Sequence, residues 1–157
     1  EMLVDPLTGL GNRRRMQLYI DKLSRKRKGE FSAIVFDIDD FKDINDLYGH
    51  IYGDRVLIVI SKILEKSAGN KKITCIRYGG DEFIVITPKE EVNEFIAKFK
   101  KLLSEFNDHK EFPSKIDVSI GVSEFTVNSE INMEYIINTA DKLMYEKKKL
   151  KKRNSNK

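Results

Sequence analysis

A chain of 157 residues with 40% apolar side chains can bury one real core, and its length suits one domain over 1–157. No run approaches the roughly 18 apolar residues a bilayer span requires and nothing resembles a signal peptide, so this stretch is expected to be soluble. Formal charge is +4, from 29 basic against 25 acidic residues, which leaves nucleotides, nucleic acid and acidic lipid all open as partners.

The basic surplus is uneven. Arg13, Arg14 and Arg15 with residues 26–28 form one region, and six of the seven residues from Lys147 to Arg153 form another. The plain reading of the second is a solvated helix end trailing into a disordered tail over about 150–157. The lone Cys75 sits in an apolar run with no adjoining His or Lys, so a buried small hydrophobe is expected, which fits a reducing cytoplasm. Glu1 opens the chain as if mid-protein, which suggests a piece of a longer regulatory protein.

In chain order, residues 1–11 read as a leading loop with Pro6, Gly9 and Gly11. Asn12 can cap a helix over 13–28, with Met16, Tyr19, Ile20 and Leu23 at helical spacing. The run 31–39 predicts a strand ending in carboxylates, and Gly53 and Asp54 open a helix with Leu57, Ile60, Ile63 and Leu64 inward. Runs 73–78 and 82–87 predict a hairpin whose turn glycines, Gly79 and Gly80, can take positive φ. Val92, Phe95, Ile96, Phe99, Leu102, Leu103 and Phe106 mark an amphipathic helix. Residues 116–122 alternate as a strand with one buried face. A last helix over about 132–150 is expected to turn Ile136, Ala140, Leu143 and Met144 inward. The α-β-α-β-β-α-β-α order predicts an α+β fold, helices packed on an antiparallel-rich central sheet.

Two acidic loci carry the chemistry. Asp37, Asp39 and Asp40 close the first strand, and Asp81 and Glu82 stand in the hairpin. Alternation puts Asp37 and Asp39 on one side of the sheet and Ile38 on the other. Carboxylates at a strand end suit a hard cation such as Mg²⁺, which keeps phosphate oxygens in its shell. With Lys42 close in sequence, phosphoryl or nucleotidyl transfer is the chemistry expected.

R-Y-G-G-D-E-F at 77–83 resembles the signature of the GGDEF family. D-P-L-T-G-L-G-N-R-R at 5–14 is similar to that family's opening motif, and F-D-I-D-D-F-K-D-I-N-D at 36–46 to its next block. G-H-x-x-G-D at 49–54 and the Ala140, Asp141 and Tyr145 frame complete the resemblance, in order, over about 5–150. It implies a palm-like fold as in class III nucleotidyl cyclases, and a diguanylate cyclase that joins two GTP into cyclic di-GMP with release of pyrophosphate.

The resemblance also implies residue roles. Asp37, Glu82 and the Ile38 carbonyl would hold Mg²⁺ or Mn²⁺, two per active site. Asp40 and Phe41 amides with Lys42 would hold phosphates, and Asn45 and Asp54 would read guanine. Gly79 and Gly80 would bring bare backbone to the nucleotide, where a Cβ would intrude. Asp81 would lie by the attacking hydroxyl, with Glu82 and Lys42 as its catalytic companions. Lys148 would contact the terminal phosphate, and Lys152 or Arg153 would stand where the family has an arginine. Implied partners are a second copy of the domain and an N-terminal sensory or receiver domain, on the cytoplasmic side, with no nucleic acid.

The family's product-inhibition pair falls on Asn70 and Ile73, neither of which suits that role, so no product binding is expected there. Two other readings stand beside the active cyclase: a GTP-binding module without turnover, and a nucleic-acid-binding α+β domain led by the basic ends. The intact Asp37, Asp81 and Glu82 argue against the first. Phe36 and Phe83, set inside acidic motifs rather than beside basic surface, argue against the second.

Overall fold

The computed structural model describes residues 2–127 and 130–155. Asn12 starts the first helix, α1 (Arg13–Lys26), by accepting from the Arg15 amide at 3.0 Å. Strand β1 (Glu30–Ile38) follows, then α2 (Phe41–Tyr48) and α3 (His50–Ala68). The hairpin is β2 (Thr74–Arg77) and β3 (Glu82–Pro88); then come α4 (Val92–Asp108), β4 (Val118–Thr126) and α5 (Met133–Ser155).

The four strands run in the order β2-β3-β1-β4, every pair antiparallel. Strand β1 is central because both its faces are apolar: Ala33, Ile34, Val35, Phe36 and Ile38 are fully buried. Its even-numbered residues pack with α3 and α4, where the Phe36 ring lies 4.8 Å from Phe99. Ala33 and Val35 pack with α1 and α5, against Met16, Ile20, Ile136 and Ala140. The sheet is therefore a middle layer with a core on each side, the α+β arrangement that the element order predicts.

Four expectations need correction. The segment after β1 is two helices, because Asp40 takes a left-handed φ of 56° to start α2 and Gly49, at φ 91°, breaks it from α3. Strand β4 is buried on both faces from Val118 to Gly121; its alternating polar residues are small, which lets α5 lie directly on them. A Cβ on Gly121 would overlap the Ala140 carbonyl, so the close seat of α5 depends on that glycine.

Leu143 is 44% exposed, since the buried stripe of α5 is Met133, Ile136, Ile137, Ala140 and Met144. Finally, residues 150–155 of the expected disordered tail continue α5, and 156–157 lie outside the described residues. Lys and Arg are good helix formers, and Lys152 and Arg153 in the last turn suit the helix dipole. Among the described residues no helix is long and apolar enough to cross a membrane.

Candidate active site

The two acidic loci meet because β1 and β3 are register partners: Asp37 lies opposite Glu82, and the Ile38 amide donates to the Asp81 carbonyl at 3.2 Å. Helix α5 crosses this point and brings lysines. Lys148 Nζ is 2.6 Å from Asp37 Oδ2, and Lys151 Nζ is 2.8 Å from Asp39 Oδ2. Asp37 and Asp39 thus share the α5 side, as strand alternation predicts. Ser119 fixes the other oxygen of Asp39 by donating at 2.7 Å.

Burial, and after it the crowding of carboxylates, raises the proton affinities here. Burial pushes Glu82 up to about 7, with the charges of Asp141 and Asp37 adding to it. Burial likewise pushes Asp37 up to about 6; the Lys148 hydrogen bond opposes this and the Asp81 charge reinforces it. Asp37 Oδ1 is buried without a hydrogen-bond partner. A carboxylate pair that resists full ionisation and keeps an unused buried oxygen fits a hard cation. Among the described residues, no group of three or more His, Cys, Asp or Glu side chains is placed to hold a metal ion. A cation at Asp37 and Glu82 would therefore need main-chain and ligand oxygens as well, as Mg²⁺ sites on phosphate substrates do.

Beside this centre opens a cleft of about 860 Å³, lined by Ile38, Asp40, Phe41 and Lys42 from the β1–α2 corner, Asp81 from the hairpin, and Lys148, Lys151 and Lys152 from α5. Lys152, and not Arg153, lines it. Asn45 and Asp54 lie on the adjoining α2–α3 corner and do not line the cleft. Asn45 packs on Gly53, where any Cβ would overlap its Oδ1, and that oxygen is buried and unpartnered. Asp54 is exposed.

Gly79 and Gly80 line a separate, shallower hollow of about 400 Å³ with Asp5, Arg13 and Arg77. Neither has a positive φ, which corrects the reason given for the hairpin. A Cβ on Gly80 would meet nothing within 4 Å, and one on Gly79 would only touch the Cβ of Glu82 at 3.6 Å. The chain's own packing does not demand these glycines. Asn70 is exposed, Ile73 packs against the core, and Lys71 between them is held by Glu91 and Glu94 at 2.7 and 2.9 Å.

A profile described as "Diguanylate cyclase, GGDEF domain" matches residues 2–155. The chain belongs to the GGDEF family of diguanylate cyclases. It is 37% identical over 137 residues to diguanylate cyclase A of Treponema denticola, covering 83% of this chain and 36% of that protein. It is 34% identical over 157 residues to diguanylate cyclase VdcA of Vibrio cholerae, covering 96% of this chain and 45% of that protein. The chain thus spans less than half the length of these relatives. Among solved structures, the coiled coil and GGDEF domain of DgcB from Caulobacter crescentus, in complex with cyclic di-GMP, superposes with TM-score 0.79 at 25% identity, covering 94% of this chain and 81% of that one. The palm-like cyclase fold follows from the family together with the helices packed on an antiparallel four-stranded sheet.

Within this GGDEF domain, several residues that position the hairpin escaped the sequence reading. Arg77 Nη1 lies 3.2 Å from both oxygens of Asp5, and its Nη2 donates to the Gly80 carbonyl at 2.9 Å. Arg13 donates to the Tyr78 carbonyl at 2.7 Å while its guanidinium sits 4.0 Å over the Tyr78 ring. The leading loop, through Asp5 and Arg77, and the start of α1, through Arg13, therefore hold the Gly79–Gly80 turn. Asp141 beside Glu82, with its Oδ1 buried and unpartnered, was also missed as a site residue. A usable signal existed for the α5 contacts. Asp37 and Asp39 stand two apart in the run that predicts a strand, and Lys148 and Lys151 three apart in the run that predicts a helix, ideal steps of roughly 6.6 and 4.5 Å along one face each.

Proposed function

We propose that this domain condenses two GTP molecules into cyclic di-GMP, releasing two pyrophosphates, at a site completed by a second copy of the domain. The observation that carries the reading is the Asp37–Glu82 pair beside a cleft walled by Lys42, Lys148 and Lys152. Asp37, Glu82 and the Ile38 carbonyl would hold Mg²⁺ or Mn²⁺, and two such ions per site would offset charge on the phosphates as the leaving group departs.

The protein's own groups divide the remaining work. The first amides of α2, after the left-handed turn at Asp40, have no intrahelical acceptors and bind phosphate together with Lys42. Lys148 and Lys152 neutralise the terminal phosphate; Lys152 does so as a point charge, without the fork of an arginine. Asp54 accepts from guanine N1–H and N2–H, and the side-chain amide of Asn45 on the same corner answers another position of the base. Asp81 takes the proton as the 3′-hydroxyl oxygen of one GTP attacks the α-phosphorus of the other. The new P–O bond forms as the α–β bridging bond breaks, and repetition in the opposite sense closes the ring. Two domains face to face supply the in-line geometry. An N-terminal sensory or receiver domain in a parent chain would pair the copies, with this domain in the cytoplasm.

Incubation with GTP and Mg²⁺ or Mn²⁺, followed by chromatographic identification of the product, tests the reading. Cyclic di-GMP is expected from the wild-type chain and none from Asp37→Asn or Glu82→Gln, with both variants still folded. Near-wild-type turnover by either variant would remove the metal assignment.

A further inference from the structure

The two lysines that α5 lays on the acidic centre are held in different ways. Lys151 donates to Asp39 and to the Val118 carbonyl and lies 3.4 Å from Asp117, all acceptors outside the Asp37–Glu82 pair. Lys148 donates to Asp37 Oδ2 at 2.6 Å, which is the carboxylate that a divalent cation would need. The two side chains of that pair are 22% and 16% exposed, so water and salt screen it weakly. Lys148 also lines the cleft in which the phosphates would lie.

We infer that Lys148 is an exchangeable counter-ion: it competes with the divalent metal for Asp37 and moves to the phosphates of the incoming nucleotide, so that metal and nucleotide bind interdependently. The inference rests on the metal and GTP reading given above. Two cations on one part-buried carboxylate repel each other, which weakens metal binding while Lys148 stays. Phosphate oxygens offer the ammonium a second acceptor, and its flexible four-carbon stem lets it change partner by bond rotation. Lys151, on its own acceptors, keeps α5 seated during the exchange. Linkage then requires that nucleotide tighten metal binding by the factor by which metal tightens nucleotide binding, typically about 5- to 150-fold for coupled sites.

Calorimetric titration of the whole chain with Mn²⁺, alone and with a saturating α,β-methylene analogue of GTP, tests this. Wild type should bind Mn²⁺ weakly alone and at least about fivefold more tightly with the analogue. Lys148→Gln should bind Mn²⁺ alone more tightly than wild type and show a smaller tightening by analogue, the remainder coming from the analogue's own oxygens on the metal. Lys148→Arg should retain the coupling, and Lys147→Gln, with the same change in net charge on an exposed residue, should behave as wild type. Circular dichroism establishes that each variant is folded. If folded Lys148→Gln binds Mn²⁺ no more tightly than wild type and keeps full coupling, the exchange is overturned while the metal site stands. Should wild type bind no Mn²⁺ even with the analogue, the metal reading and the exchange fall together.

Discussion

Replacing Arg77 by Met removes the clamp between the leading loop and the catalytic turn without touching any proposed ligand. The side chain donates to Asp5 at 3.2 Å and to the Gly80 carbonyl at 2.9 Å through Nη2 and 3.3 Å through Nε. Hydrogen bonds to charged groups contribute about 1.5–3 kcal/mol each, and side chains only 18% and 17% exposed, as Arg77 and Asp5 are, are screened weakly by solvent. Asp5 also keeps the Thr8 amide and hydroxyl at 2.9 and 2.8 Å, so its charge is not stranded. A net loss of about 2–3 kcal/mol follows, or a midpoint lowered by roughly 4–12 °C for a domain of this size. Turnover should suffer more, since a displacement of ~1 Å in a positioned catalytic group costs on the order of a hundredfold. Arg77→Lys, which keeps the charge but not the fork, should fall between. Thermal melts by circular dichroism, with initial rates taken well below each midpoint, measure both effects. A variant Arg77→Met with wild-type melting and turnover would refute the clamp.

The pH dependence of stability should carry the sign of the crowded carboxylates. Asp37 and Glu82 are raised from 3.8 and 4.5 to about 6 and about 7, so the folded chain binds the extra protons and stability falls as pH rises through that window. Melts between about pH 5 and 7, above the range in which the lowered Asp5 contributes the opposite sign, should show this slope, flatter in Glu82→Gln; a slope of opposite sign there in wild type would contradict it. Gly121→Ala should destabilise by about 1–3 kcal/mol, because the added methyl meets the Ala140 carbonyl and lies 2.7 Å from the Met144 amide nitrogen; an unchanged midpoint would show that α5 can lift freely. Asp54→Ser should relax the preference for guanine over adenine by roughly 2- to 10-fold, the range for hydrogen bonds made by a solvent-exposed side chain, as read by calorimetry with GTP and ATP analogues.

How much was legible depended on the range of the interaction. Helix faces and strands follow from local periodicity, and α1, α3, α4 and the hairpin lie close to where the pattern puts them. The carboxylates of the site could be named because they sit inside contiguous motifs. The Asp5–Arg77 clamp could not, since its partners stand 72 residues apart and each reads as an ordinary surface charge. The basic end of α5 misled for a physical reason. A run of lysines looks solvated until the acceptors that order it are known, and Asp37, Asp39 and Asp117 lie on other elements. The alternation in β4 misled in a similar way, because Ser119 and Gly121 signal a face open to water when their small size instead admits a helix.

The central claim, catalysis between two GTP-loaded domains, is tested most directly by cyclic di-GMP formation across a hundredfold range of protein concentration, with light scattering to report the species present. Below the dimerisation constant the rate should rise as the square of concentration, so specific activity should climb about linearly. Fusing a parallel coiled-coil dimer ahead of Glu1 should raise it sharply by increasing effective concentration. Specific activity that stays flat across the range, on a species that scatters as a monomer, would contradict the account.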